Sequence, residues 1–171
     1  IHSLTKFING SSDTVGGVIC ATQAFIDDLK NVNSGASMLL GPTMDSFRSA
    51  SILKNLRTLH IRMKQHSHNA MHLAQAFEKE GLKVVYPGLE SHPSHAIYSS
   101  MINHEYGFGG MMTIDVGSLE KANSLMELMQ KLYSRFYKMS SLNTTTKYSR
   151  MVIVLDTMMV TMMVTQLVCL V

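Results

Sequence analysis

Apolar positions along this chain follow two rhythms, and the change from one to the other marks out its elements. From Thr43 to Glu80 they recur at three- and four-residue spacings, through Ile52, Leu53, Leu56, Leu59 and Met63 and on to Ala70, Leu73, Ala74 and Phe77. That spacing lines one side of a helix. No proline or glycine interrupts the stretch, yet one helix of such length would be unusual, so a bend is expected between Asn55 and Arg57. Gly81 is placed to end it in a left-handed cap. From Leu119 to Lys131 the stripe returns in Leu125, Leu128 and Met129, behind Ser118 as a capping residue. Thr22 likewise precedes a short helix carrying Ala24, Phe25, Ile26 and Leu29, and Asn31 to Gly35 breaks it.

Unbroken apolar runs predict strands. Gly16 to Ala21 reads as a buried one, Lys83 to Tyr86 as a brief one stopped by Pro87 and Gly88, and Met111 to Val116 as another. Pro42 suits a first helical turn. Ser91 to Asn103 reads as loop and short helix, and Gly107 to Gly110 as a loop that allows close strand packing. Helix, strand, strand, helix is the order of an α+β lobe.

Ahead of these elements stands His2-Ser3-Leu4-Thr5-Lys6-Phe7-Ile8-Asn9-Gly10, running on to Asp13 and the pair Gly16-Gly17. Lys6 has a hydroxyl residue three positions before it and another immediately before. Such a layout serves a lysine amine that must hold a carbonyl compound, with hydroxyls and backbone amides gripping a phosphate close by. Taken alone, a Ser-x-Thr-Lys string more often marks an exposed loop lysine.

The longer string HSLTKFINGSSDTVGGVI resembles the pyridoxal-phosphate lysine signature of the Cys/Met-metabolism family, which includes cystathionine synthases and lyases and methionine gamma-lyase. The resemblance continues in order through LLGPTM (39–44), RMKQHSHNA (62–70), VVYPGLESHPSH (84–95) and YGFGGMMTIDV (106–116). The spelling is closest to the methionine gamma-lyase branch of plant type. The resemblance implies an α/β chain of the fold-type I PLP-dependent transferase class, present as the end of the large domain plus the small C-terminal α+β domain. Residues 1–55 would be the end of the cofactor domain, 56–135 the C-terminal domain and 136–171 a divergent apolar tail.

It further implies that Lys6 is the Schiff-base lysine, with Ser3 and Thr5 as hydroxyls on the phosphate of pyridoxal 5'-phosphate. The implied activity is carbon–sulfur bond cleavage in a sulfur amino acid, methionine giving methanethiol, ammonia and 2-oxobutanoate. Cystathionine gamma-synthase or lyase activity is the alternative, and so is a non-catalytic remnant that packs on a full-length family member. The family acts as a homotetramer in the cytoplasm, and a homo-oligomer is expected here. Its ring aspartate, stacking tyrosine and partner-subunit phosphate contacts precede the lysine and have no counterpart in this chain. Ser141-Leu142 stands where the family has Ser-Leu-Gly, but Asn143 replaces the glycine, and neither Arg135 nor Arg150 sits in a motif matching the carboxylate-binding arginine. The chain also starts at isoleucine and reads as a fragment, one from which activity alone is not expected.

Composition adds exclusions. A net charge of +3 with scattered basic residues does not suggest a nucleic-acid surface. Cys20 and Cys169 are too few and too far apart for a disulfide framework or a metal knuckle, and Cys20 reads as a buried thiol in a reducing compartment. His66, His68 and His72 share a helix without the third ligand that a metal pair needs, and read as a solvated or interdomain face. No metal is expected. Met38, Met44 and Met71 read as core filler. Met151 to Val171 is long enough to cross a bilayer, but Asp156 and several threonines argue against a membrane anchor. A β-rich segment is a second reading, and a poorly fitting, aggregation-prone end is preferred, so that a chain stopping near Arg150 should be the more soluble.

Overall fold

The periodic stretch after Thr43 folds as two helices, because Arg57 and Thr58 form a turn where the bend was expected. In chain order α1 is Gln23–Leu29, α2 Ala36–Leu40, α3 Ser46–Leu56, α4 Leu59–Lys79, α5 His95–Met101 and α6 Leu119–Tyr137. The strands are β1 His2–Ser3, β2 Gly17–Val18, β3 Lys83–Val85, β4 Met111–Asp115 and β5 Arg150–Val154. The structure, a computed structural model, describes residues 1–137 and 150–154. Ser141, Leu142, Asn143, Asp156 and Cys169, with the rest of the tail past Val154, lie outside the described residues. The chain divides into two compact units between His60 and Ile61.

In the first unit β1 and β2 pair antiparallel, His2 opposite Val18 and Ser3 opposite Gly17. The expected buried strand over Gly16 to Ala21 is therefore only two residues of a short hairpin. Such a hairpin makes no sheet with a coverable face, so Ile19 and Cys20 are exposed, and the expectation of a buried thiol is corrected. Thr22 caps α1 as expected, accepting from the Phe25 amide at 3.5 Å. Pro42 does not start a helix. Gly41 ends α2 with φ +60°, so Pro42 follows a helix end instead, and Asp45 caps α3 by accepting from the Arg48 amide at 3.0 Å. Met38 is exposed rather than core, while Met44 is half-buried against Gly16.

The second unit carries the core. Ala70, Leu73 and Ala74 of α4 meet Tyr86, Leu89 and Met112 and Ile114 of β4, with Leu125, Met126 and Met129 of α6 packed against them. Burial of Leu73, Leu89, Met112 and Ile114 contributes about 1.5–3 kcal/mol each. α4 ends as the sequence predicts: Gly81 takes φ +79°, its amide reaches Glu78 O, and the Leu82 amide reaches Phe77 O at 3.0 Å. Ser118 caps α6, accepting from the Lys121 amide at 3.2 Å. His66 is 3% exposed, which corrects the solvated reading for that residue; His68 and His72 are exposed. Met71 is half-buried against the core.

β4 is the middle of a three-stranded antiparallel sheet ordered β3-β4-β5. β5 pairs with β4 from Met111 opposite Val154 to Asp115 opposite Arg150. The first residues of the tail are thus a sheet strand, not a poorly fitting end. β-branched valines and isoleucine suit that pleated pairing.

Candidate functional site

Lys6 lies in a single wide helical turn, Leu4–Ile8, that leaves β1. The helical path breaks at Lys6, with φ −88° and ψ −126°. Three backbone bonds hold the turn, Leu4 N–H to Gly16 O at 2.9 Å, Asn9 N–H to Leu4 O at 2.9 Å and Gly10 N–H to Lys6 O at 2.8 Å, beside the register pairing of Ser3 with Gly17. Gly10 sits at φ +73°, a conformation that glycine adopts without a Cβ penalty.

Lys6 and Ser3 are exposed. Thr5 is half-buried, and its hydroxyl works within the hairpin: it accepts from the Gly16 amide at 3.0 Å and donates to Gly16 O at 3.3 Å. A Cβ at Gly16 would lie 2.4 Å from Met44 Cε, so a side chain there would displace the end of Met44.

The turn is tied to α3, which packs against it. Asn9 is 1% exposed. Its Nδ2 donates to Asp13 Oδ1 at 2.7 Å and its Oδ1 accepts from Asn55 Nδ2 at 2.9 Å. Asn55 also donates to Ser11 Oγ at 3.0 Å. The bond from Asn9 holds the Asp13 carboxyl below the usual carboxylate range. Sequence reasoning missed this network. Its one signal was Asn55 itself, an amide in the last turn of a helix where asparagine is a poor former and looks for partners outside.

The other blocks of the resemblance do structural work. Ser67 of α4 donates to Tyr106 O at 2.5 Å and accepts from the Gly109 amide at 2.8 Å, and Tyr86 OH donates to Gly109 O at 2.9 Å. Gly107, at φ +70°, could not carry a Cβ, which would lie 2.8 Å from Ser67 Cβ. His95 accounts for its place structurally: Nδ1 donates to Pro87 O at 2.8 Å, and the ring stacks on Phe108 at 5.2 Å. Among the described residues no group of three His, Cys, Asp or Glu could hold a metal.

An exposed primary amine at Lys6, and an exposed hydroxyl at Ser3 on the strand just before the turn, are of the chemical kinds that the aldehyde and phosphate of pyridoxal 5'-phosphate require. Lys6 and Ser3 fit that group as they stand. Thr5 reaches a phosphate oxygen only by giving up its 3.3 Å bond to Gly16 O.

The sequence model of the Cys/Met metabolism PLP-dependent enzymes matches residues 1–166, well past Val116, where the legible blocks end. Methionine gamma-lyase of Arabidopsis thaliana is 39% identical over 130 residues, covering 76% of this chain and 30% of that protein. Cystathionine beta-lyase of Coxiella burnetii is 37% identical over 134 residues, covering 75% and 33%. The crystal structure of cystathionine gamma synthase from Xanthomonas oryzae pv. oryzae, in complex with aminoacrylate and cysteine, aligns with TM-score 0.65 at 31% identity, over 82% of this chain and 34% of that one. The chain spans about a third of the length of these relatives.

Proposed function

The chain belongs to the Cys/Met metabolism PLP-dependent enzymes, and from that premise we propose that it is part of a carbon–sulfur lyase in which Lys6 holds the cofactor. The observation that supports this most is the placement of Lys6: exposed, at the break of a turn bracketed by backbone bonds, with the Ser3 hydroxyl exposed on the same segment. The first unit is then the end of the cofactor domain and the second the C-terminal domain.

When bound, pyridoxal 5'-phosphate supplies an aldehyde that binds amines and a pyridine ring that takes up electrons. Lys6 Nζ is the amine that holds it. When not engaged in holding the cofactor, the same Nζ would take the proton from the substrate α-carbon and carry it as the conjugate acid. Ser3 donates to a phosphate oxygen, and Thr5 joins it on exchanging its bond to Gly16. The hairpin bonds keep both hydroxyls and the amine on one segment, so the cofactor's two ends are held by groups fixed to one another.

Methionine is the proposed substrate, because the Arabidopsis relative named methionine gamma-lyase shows 39% identity over 130 residues. The same reading carries a homo-oligomer acting in the cytoplasm; among the described residues no helix is long and apolar enough to cross a membrane. A second reading has support of its own. Phe47 is 88% and Leu40 80% exposed in the first unit, which favours a remnant that packs on a full-length family member.

The test is to supply the purified chain with pyridoxal 5'-phosphate, assay thiol release from methionine and from cystathionine, and map lysines marked after borohydride reduction. Thiol from methionine that disappears in Lys6→Ala but survives Lys30→Ala and Lys54→Ala supports the proposal. Release from cystathionine alone moves the substrate. A marked Lys6 keeps the lysine assignment even without turnover, and an unmarked Lys6 overturns it.

A further inference from the structure

Asn55 donates its side-chain amide twice into the segment that follows Lys6, to Asn9 Oδ1 at 2.9 Å and to Ser11 Oγ at 3.0 Å. The orientation of Asn9 is forced by chemistry. Its other partner, Asp13 Oδ1 at 2.7 Å, is a carboxylate oxygen that only accepts, so Asn9 presents nitrogen to it and oxygen to Asn55. With Asn55 in place Asn9 is 1% exposed, so losing that donor costs the Asn9 oxygen its partner at a buried position.

Asn9 also closes the turn around Lys6. Its peptide N–H reaches back to Leu4 O, so the two residues bracket the lysine, and the next amide, of Gly10, binds the Lys6 carbonyl itself. Asn9 thus closes the bracket with its peptide N–H while its side chain is held at both ends, by Asp13 and by Asn55. From these contacts we propose that Asn55 is a positioning residue for Lys6, fixing the direction of the lysine through Asn9 and Ser11 from a helix 46 residues away in sequence. The proposal rests on the reading of Lys6 as the cofactor lysine.

α3 is a suitable support because it is independently capped by Asp45 and continues for three turns, so its last turn is held without help from the lysine segment. The two donations are equivalent to a clamp. One fixes the residue that closes the bracket, the other the loop beyond it, and neither touches the amine that would do the chemistry.

The test uses the whole chain with pyridoxal 5'-phosphate as probe, borohydride to fix it, and peptide mapping of Lys6 against Lys30, an exposed lysine that ends α1. Asn55→Ala and the near-isosteric Asn55→Asp, which has no N–H to give, are compared with the parent well below their unfolding midpoints. The expected result is a Lys6-to-Lys30 ratio lowered about fivefold in both variants, with faster amide exchange at Asn9 and Gly10 and unchanged exchange in the middle of α4. In an Asn9→Ala background, Asn55→Asp should then lower the ratio no further than the Ser11 bond accounts for. A role confined to stability would lower the midpoint and leave the ratio alone. An unchanged ratio in both variants overturns the proposal while the function reading stands. A parent chain that marks Lys6 no faster than Lys30 overturns the function reading instead, and this inference with it.

Discussion

Ser67 and Gly109, 42 residues apart, are joined through one hydroxyl: the Gly109 amide donates to Ser67 Oγ at 2.8 Å while Oγ donates to Tyr106 O. A serine inside a helix ordinarily turns its hydroxyl to its own backbone or to water. This one is buried and holds a glycine loop against α4. Ser67→Ala leaves two backbone groups short of a partner and should cost about 1–3 kcal/mol. Urea unfolding reads this as a lower midpoint at constant slope; a midpoint equal to the parent's would show that the loop does not depend on Ser67.

Tyr86 anchors the same loop, its OH donating to Gly109 O at 2.9 Å. Tyr86→Phe keeps the ring and should cost about 0.5–1.5 kcal/mol. Burial pushes the Tyr86 hydroxyl up to about 12. The folded chain therefore keeps a proton that the unfolded chain releases at about 10. This contribution to stability is complete below about 10 and is lost as pH rises through about 12. Phenolate absorbance should show a late-titrating component that is absent in Tyr86→Phe. A titration in which all tyrosines ionise together would refute the burial argument.

Asp13 works in the opposite direction. The Asn9 side chain donates to its carboxylate, holding the pKa below the ordinary value. The folded chain is thus the poorer proton binder, so the contribution is present above the unfolded value of about 3.9 and is lost as pH falls through the lower folded value. Asn9→Ala should return Asp13 toward an ordinary carboxylate. A carbon-detected NMR titration follows it directly, and identical curves for parent and variant would mean that the bond does not form in solution.

Ending the chain near Arg150 removes β5 and uncovers the edge of β4 from Met111 to Asp115. An uncovered strand edge is a template for pairing with other chains. The shortened chain should therefore be less soluble than one ending after Val154, contrary to what the apolar composition of the tail suggests. Sedimentation of both after expression decides it; equal or better solubility of the shorter form would show that β5 gives the sheet no protection.

By itself the sequence determined the elements whose evidence is local. A 3.6-residue stripe makes α4 and α6 amphipathic wherever they pack, a left-handed glycine ends α4 at Gly81, Ser118 caps α6, and unbroken apolar runs give β3 and β4 their pleat. The lysine segment was legible too, since Ser3, Thr5 and Lys6 lie within four positions of one another. Tertiary structure alone decided everything that depends on what a surface faces. Cys20 follows an apolar run, yet it is exposed, because its strand pairs over two residues only. His66 sits on the same helix as His68 and His72, yet of the three it alone is buried, because one side of α4 faces the core and the other faces water. Met151 to Val154 read as the start of an apolar excess until β4 supplies the partner that makes them a strand. Asn55 reads as a weak point in a helix until the fold brings Asn9 and Ser11 to its amide. Hydrogen bonds across dozens of residues leave no periodic trace in a sequence, since either partner alone is just a polar side chain; only folding brings the two together and excludes the water that would otherwise satisfy them.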